Sequence, residues 1–196
     1  RHITPEDVFD LSNLCKSSNI EFNIEGNPYS EQTSSYPGFI NLVKEIVPDQ
    51  CTLVPDKPDQ LTSDHGWEID GKDHNVLVDI VEDLKANETR VSLFVDPNLK
   101  QIENIKNINA DRIELYTGPY ALNPTLEVLS SYETSFKYAK SIGLDVNAGH
   151  DLDLNNLELF LSKASVDEVS IGHALISDAL VDGLETVTKK YLDLCK

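Results

Sequence analysis

Four side chains able to move protons stand at the ends of apolar runs. Glu25 closes Asn23-Ile24-Glu25, Glu114 lies in Glu114-Leu115-Tyr116-Thr117-Gly118, His150 closes Asn147-Ala148-Gly149-His150, and His173 follows Gly172. Carboxylates and imidazoles serve as general bases and acids because their surroundings can tune their pKa values toward neutrality. A glycine opening a helix adds free backbone N–H groups, which bind phosphate. Gathered around one cavity, these groups would supply bases, an acid and donors for a phosphate. Each also has a purely structural reading. Glu25 could pair with a buried cation, and Glu114 could hold a loop by accepting backbone N–H groups. His150 could be a satisfied core imidazole, but Ala148-Gly149 before it lets a ligand approach the backbone closely. Gly172-His173 could be no more than a tight turn. Thr62, in Thr62-Ser63-Asp64-His65-Gly66, can bind phosphate or cap the next helix, and capping is the reading from the residue alone. His2 precedes the Thr4 helix cap and is well placed for an anion, whereas His65, His74 and Trp67 read as surface or lid residues.

For such ends to meet, the apolar runs must be parallel strands that open into a common mouth. The runs are 20–24, 51–54, 91–95, 112–116, 144–148 and 169–171. Several are almost continuously hydrophobic, as strands covered on both faces must be. Helix signals follow them. Thr4-Pro5-Glu6-Asp7 combines a capping hydroxyl, a first-turn proline and two acids, followed by a stripe of Val8, Leu11, Leu14 and Cys15. Asp96-Pro97 predicts a helix with Leu99, Ile102, Ile105 and Ile108 inward, and Asn123-Pro124 one carrying Leu126, Leu129, Tyr132, Phe136 and Ala139. The last helix shows Leu184, Val187, Tyr191 and Leu194 at helical spacing. Residues 26–38 read as a loop.

Unbroken strand–helix alternation predicts an α/β fold with a parallel sheet. Six β units are visible, whereas a (β/α)8 TIM barrel has eight and commonly spans about 250 residues. The expectation is therefore a single domain over residues 1–196, a TIM barrel lacking about its first two β units at an incomplete N-terminus. A doubly wound six-stranded sheet competes, but its G-x-G-x-x-G after the first strand is missing.

Asp and Glu number 34 against 16 Lys and Arg, a formal charge of −18, which argues against nucleic acid as a partner. Phosphorylated small molecules then need local devices: helix N-termini, imidazoles or backbone N–H groups. Cys15, Cys51 and Cys195 are scattered and odd in number, which fits reduced thiols in a cytoplasmic protein. No metal-ligand spacing occurs, so no metal is expected, and no apolar run has membrane-spanning length.

In the same segments the chain resembles the pyridoxine 5′-phosphate synthase family of vitamin B6 biosynthesis. The matching segments are Arg1-His2-Ile3-Thr4, Asn23-Ile24-Glu25, Leu53-Val54-Pro55-Asp56 with Leu61-Thr62-Ser63, and Val91-Ser92-Leu93-Phe94-Val95-Asp96. Ile113-Glu114-Leu115-Tyr116-Thr117-Gly118 with Tyr120-Ala121, Val146-Asn147-Ala148-Gly149-His150, and Ile171-Gly172-His173-Ala174 continue the series in the family's order. The resemblance implies a (β/α)8 barrel, usually a homo-octamer. It joins 1-deoxy-D-xylulose 5-phosphate to 3-amino-2-oxopropyl phosphate without metal or organic cofactor, giving pyridoxine 5′-phosphate, inorganic phosphate and water. By the same resemblance Glu25 is a general base, His150 a proton donor and Glu114 a carboxylate that stabilises the transition state. His2 and Thr62 would hold the deoxyxylulose phosphate, and Gly172 and His173 the aminoketone phosphate.

The sequence departs from the family pattern in three places. The first strand, and the second-strand histidine with its nearby arginine, would lie upstream of Arg1. Asp151 stands where the pattern has a glycine contacting phosphate. His65 replaces a glycine, and Tyr116 a histidine. Two other readings of the residues stay open: a sugar-phosphate isomerase or epimerase barrel with one phosphate site, and a non-catalytic barrel scaffold.

Overall fold

The computed structural model describes residues 3–57, 60–69 and 73–196. They form two compact units, one of residues 1–94 with 104–112 and one of residues 95–103 with 113–196.

The first unit runs α1 (Pro5–Ser18), β1 (Asn23–Gly26), α2 (Phe39–Ile46), β2 (Gln50–Leu53), α3 (Asp73–Ala86) and β3 (Arg90–Val95). Pairing is parallel from β1 to β2 and from β2 to β3, with Glu25 opposite Thr52 and Thr52 opposite Ser92. Cys51, Leu53, Val91 and Leu93 of the strands and Leu77, Val81 and Leu84 of α3 are fully buried, each apolar side chain contributing about 1.5–3 kcal/mol by leaving water. The Thr4 cap forms as its residues predict. Its hydroxyl accepts from the Asp7 N–H, and the Asp7 carboxylate accepts from the Thr4 N–H at 2.8 Å. The stripe on α1 differs from expectation: Val8 and Ser12 are the buried pair, while Leu11 and Leu14 are 40% and 60% exposed. The first strand begins three residues later than the apolar run because Asn19 ends α1 in the left-handed conformation. The Ile20 N–H then caps the Cys15 carbonyl and cannot enter a ladder.

The second unit runs β4 (Arg112–Tyr116), a short α5 (Gly118–Leu122), α6 (Leu126–Ser141), β5 (Asp145–Gly149), α7 (Leu157–Leu161), β6 (Glu168–Ser170), α8 (His173–Asp182) and α9 (Leu184–Leu194). Strands β5 and β6 pair in parallel, with Gly149 opposite Ser170. Helix α6 starts at Leu126 rather than at Pro124 because Thr125 is its cap, accepting from the Val128 N–H. Tyr120, Tyr132 and Phe160 fill the space behind β4, with ring centroids 5.3–6.1 Å apart in tilted or edge-on contacts. Between the units in sequence, α4 (Leu99–Asn107) buries Ile102 and Ile105 and leaves Leu99 42% exposed.

One device recurs at the strand starts. Asp49, Asp111 and Asp167 each stand just before a strand and accept the backbone N–H of the neighbouring segment: Phe22 at 2.8 Å, Val91 at 2.9 Å and Val146 at 2.8 Å. Two of these carboxylates also hold a lysine, Lys85 on Asp111 at 2.7 Å and Lys140 on Asp167 at 2.5 Å. Each carboxylate thus satisfies a backbone donor just where the ladder begins, which leaves the opposite strand ends for chemistry. Asp167→Ala should lower stability by about 1–3 kcal/mol, read as a lower urea midpoint with an unchanged m-value. An unchanged midpoint would mean the staple contributes nothing.

Candidate active site

In the second unit the end of β5 meets the end of β4. The Thr117 N–H donates to the Gly149 carbonyl at 2.8 Å, and its hydroxyl lies 2.6 Å from that oxygen and 2.5 Å from the His150 carbonyl. The Asn156 side-chain amide donates to the Asp151 carbonyl at 3.0 Å, and the Tyr120 hydroxyl donates to the Asn156 carbonyl at 2.7 Å. Three successive carbonyls are therefore held in place. They need to be: His150 and Asp151 both have positive φ, 87° and 58°. Non-glycine residues adopt this conformation at a cost, which the surrounding hydrogen bonds must offset. Aspartate tolerates it better than most residues, and this is the position where the family pattern has a glycine.

Glu114 is buried, and its carboxylate rests on Gly149, so closely that a Cβ there would stand 2.2 Å from Oε1. The His150 ring packs edge-on to Tyr116 at 5.1 Å between centroids, and its Nδ1 lies 2.9 Å from the Asp151 carboxylate. A cleft of about 530 Å³ opens beside this turn, with Asp151, Asp153, Gly172, His173 and Asp178 on its walls. Gly172 precedes α8 and supplies no side-chain cap to the helix's first N–H groups. Its backbone has nothing within 4 Å of where a Cβ would lie.

In the first unit Glu25 stands on β1. Its side chain is exposed to solvent yet crowded by protein on most sides, and the desolvation from this crowding, with the Asp56 carboxylate nearby, pushes its pKa up to about 7. Asp56 is itself held: the Ser63 hydroxyl donates to its Oδ1 at 2.6 Å, and the Asn27 amide donates to its carbonyl. Thr62 is exposed in an irregular stretch well before α3 and so does not cap a helix. Trp67 is not a lid residue. It is 5% exposed, with its Nε1 donating to the Leu53 carbonyl at 2.9 Å and its ring edge-on to Tyr29. His65 binds its neighbour Asp64 through Nδ1 at 2.5 Å, and His74 lies in the first turn of α3. A hollow of about 320 Å³ along 28–32 and the start of α2 has Tyr29 and Glu31 in its lining.

The second unit thus brings together Glu114, His150, Gly172 and His173, with Asp151 joining the β5 end to the cleft. The first unit holds Glu25 and Thr62, and His2 lies outside the described residues. Among the described residues no group of three or more His, Cys, Asp or Glu could hold a metal ion, and no helix is long and apolar enough to cross a membrane. Thr117, Asn156, Asp56 and Ser63 were not singled out from sequence. Each acts through a partner 5 to 36 positions away, and Thr117 and Asp56 had a sequence signal only in their place at a strand end.

The family model of the pyridoxal phosphate biosynthesis protein PdxJ matches residues 1–196. A pyridoxine 5′-phosphate synthase from Xylella fastidiosa is 45% identical over 199 residues, covering 99% of this chain and 76% of that protein. One from Xanthomonas oryzae pv. oryzae is 45% identical over 201 residues, covering 100% and 78%. Among solved structures, a mutant tryptophan synthase alpha-subunit from Pyrococcus furiosus superposes with a TM-score of 0.63 at 15% identity, covering 96% of this chain and 72% of that one. At that identity the likeness carries the fold alone: an α/β arrangement of six parallel strands of the TIM-barrel kind.

Two outcomes follow from this geometry. Gly149→Ala should drive a methyl group into the Glu114 carboxylate, costing about 1–3 kcal/mol in a thermal melt; an unaltered melt would show that Glu114 can move aside. For Glu25, raised from 4.5 to about 7 on folding, the native state binds the extra proton in that interval. Stability should therefore fall as pH rises from 4.5 to about 7, and Glu25→Gln should flatten that part of the curve. A parallel curve for the variant would contradict the shift.

Proposed function

The chain belongs to the family of the pyridoxal phosphate biosynthesis protein PdxJ, and we propose that it condenses 1-deoxy-D-xylulose 5-phosphate with 3-amino-2-oxopropyl phosphate. It is a pyridoxine 5′-phosphate synthase. The observation that carries the finer reading is the grouping of a buried carboxylate, Glu114, an imidazole, His150, and the uncapped α8 N-terminus around the β5 turn.

The reaction is a series of proton transfers. The amine of one substrate adds to the ketone of the other and water leaves; phosphate and a further water leave as the ring closes. The substrate's own amine forms the imine, so no enzymic lysine is required. Glu25 is the general base: a carboxylate tuned to about 7 is partly ionised at neutral pH and still basic enough to take a proton from carbon or nitrogen. His150 delivers and recovers protons at the leaving hydroxyl. Glu114, held against Gly149, places negative charge where iminium or ammonium character develops. Gly172 and His173 at the start of α8 receive the aminoketone phosphate, while Asp153 and Asp178 on the same walls suit its ammonium. Thr62 and His2 hold the other phosphate. Anchoring both phosphates converts a bimolecular encounter into a positioned one.

The same family resemblance supports residues 1–196 acting as parts of one barrel domain, a homo-octameric assembly and a cytoplasmic location, which sedimentation and fractionation test. With saturating substrates the protein should form pyridoxine 5′-phosphate, and Glu25→Gln or His150→Asn should lower kcat by about 10²–10⁴-fold. The rate should rise with pH through about 7, and Asp56→Asn should move that limb to lower pH, though not down to 4.5, because burial, the larger cause, remains. Absence of product from the unaltered protein would overturn the assignment.

A further inference from the structure

We propose that Asp151 is a positioning residue that fixes the tautomer of His150, so that Nδ1 carries a proton and Nε2 is left as the basic nitrogen of the ring. His150 Nδ1 lies 2.9 Å from Asp151 Oδ2. An ionised carboxylate only accepts hydrogen bonds, so the ring nitrogen facing it must be the donor. In the neutral ring the other nitrogen, Nε2, is then the basic one, the site at which the ring takes up a proton and returns it.

The contact is built into the backbone. Asp151 follows His150 with both residues at positive φ, and its carbonyl is tied to the buried Asn156, while the His150 carbonyl is tied to Thr117. The side chain of residue 151 has little choice of backbone position. The ring itself is 18% exposed and backed by Tyr116, so its plane is set from the other side as well. A glycine at 151 would relieve the backbone cost at φ 58° yet remove the acceptor. The carboxylate is therefore kept here at a conformational cost, beside a cleft where its charge disfavours an anion. Orienting the imidazole is what that charge accomplishes in this structure. During proton transfer the ring passes through its cationic form, and a carboxylate at Nδ1 stabilises that form.

This inference rests on the synthase reading for its kinetic arm but not for its structural arm. The structural arm is long-range ¹H–¹⁵N correlation of the protein labelled with ¹⁵N-histidine. His150 should show the Nδ1–H pattern, and in Asp151→Gly the pattern should revert to the Nε2–H form that free histidine prefers. Asp151→Asn keeps an acceptor oxygen and tolerates the same φ, so it should retain Nδ1–H. In the kinetic arm, Asp151→Gly should lower kcat about 10- to 100-fold, part of what a positioned acid–base group supplies, with KM for either substrate nearly unchanged; Asp151→Asn should recover most of that loss. The proposal is overturned if Asp151→Gly leaves the tautomer unchanged, whatever happens to the rate. It is equally overturned if kcat holds while KM for the aminoketone phosphate falls, since Asp151 would then only repel the anion. If the unaltered protein makes no product, the synthase reading fails and the tautomer measurement still decides the role of Asp151.

Discussion

The β5 turn depends on a strained stretch of backbone held by groups that come from elsewhere. Two successive non-glycine residues at positive φ would relax if their carbonyls were free. Thr117 holds the His150 carbonyl together with that of Gly149 before it, Asn156 holds the Asp151 carbonyl, and Asn156 is in turn fixed by Tyr120 from within the aromatic cluster. The position of His150 is thus set by the same packing that holds α5, α6 and α7. The geometry of the β5 turn and the core of the second unit are one construction, and a change in either is felt in the other.

The two ends of the strands have divided the work. At their starts, aspartates accept backbone N–H groups and gather lysines, which secures the parallel ladders. At their ends stand Glu25, with its pKa raised to about 7, Glu114 packed against a glycine, and His150 beside a carboxylate. This polarity follows from parallel pairing, which places every strand's C-terminus on the same side of its sheet. It also explains how a chain with a charge of −18 can handle phosphates. The anion need not see the protein's net charge if backbone N–H groups and an imidazole meet it at short range, and beyond about 8 Å salt screens the rest.

Much of this was legible in the residues alone. Each of the six apolar runs corresponds to a strand, displaced by a few residues at most, because burial on both faces leaves a continuous apolar signature that needs no partner to be recognised. The Thr4 cap was equally local, since it joins residues three apart. Glu25, Glu114, His150 and the Gly172-His173 pair could be picked out because strand ends are where polar residues interrupt those runs. The chemical roles proposed for them rest on the ordered series of family segments rather than on any single motif.

Other features were decided only by the tertiary structure. Trp67 looks like a surface residue in sequence, yet a carbonyl on β2 and an aromatic neighbour on another loop bury it. Leu11 and Leu14 look like core residues, yet Ser12 took the buried place on α1. Asp151, which in sequence only marks a departure from the family's phosphate-contacting glycine, faces the imidazole before it, on a backbone of positive φ. The reason is common to all three. Propensity, capping and apolar periodicity act over a few residues and are written in the local order. Which face is covered, which carbonyl is answered and which way a charge points depend on residues many positions away, and only the folded chain brings those together.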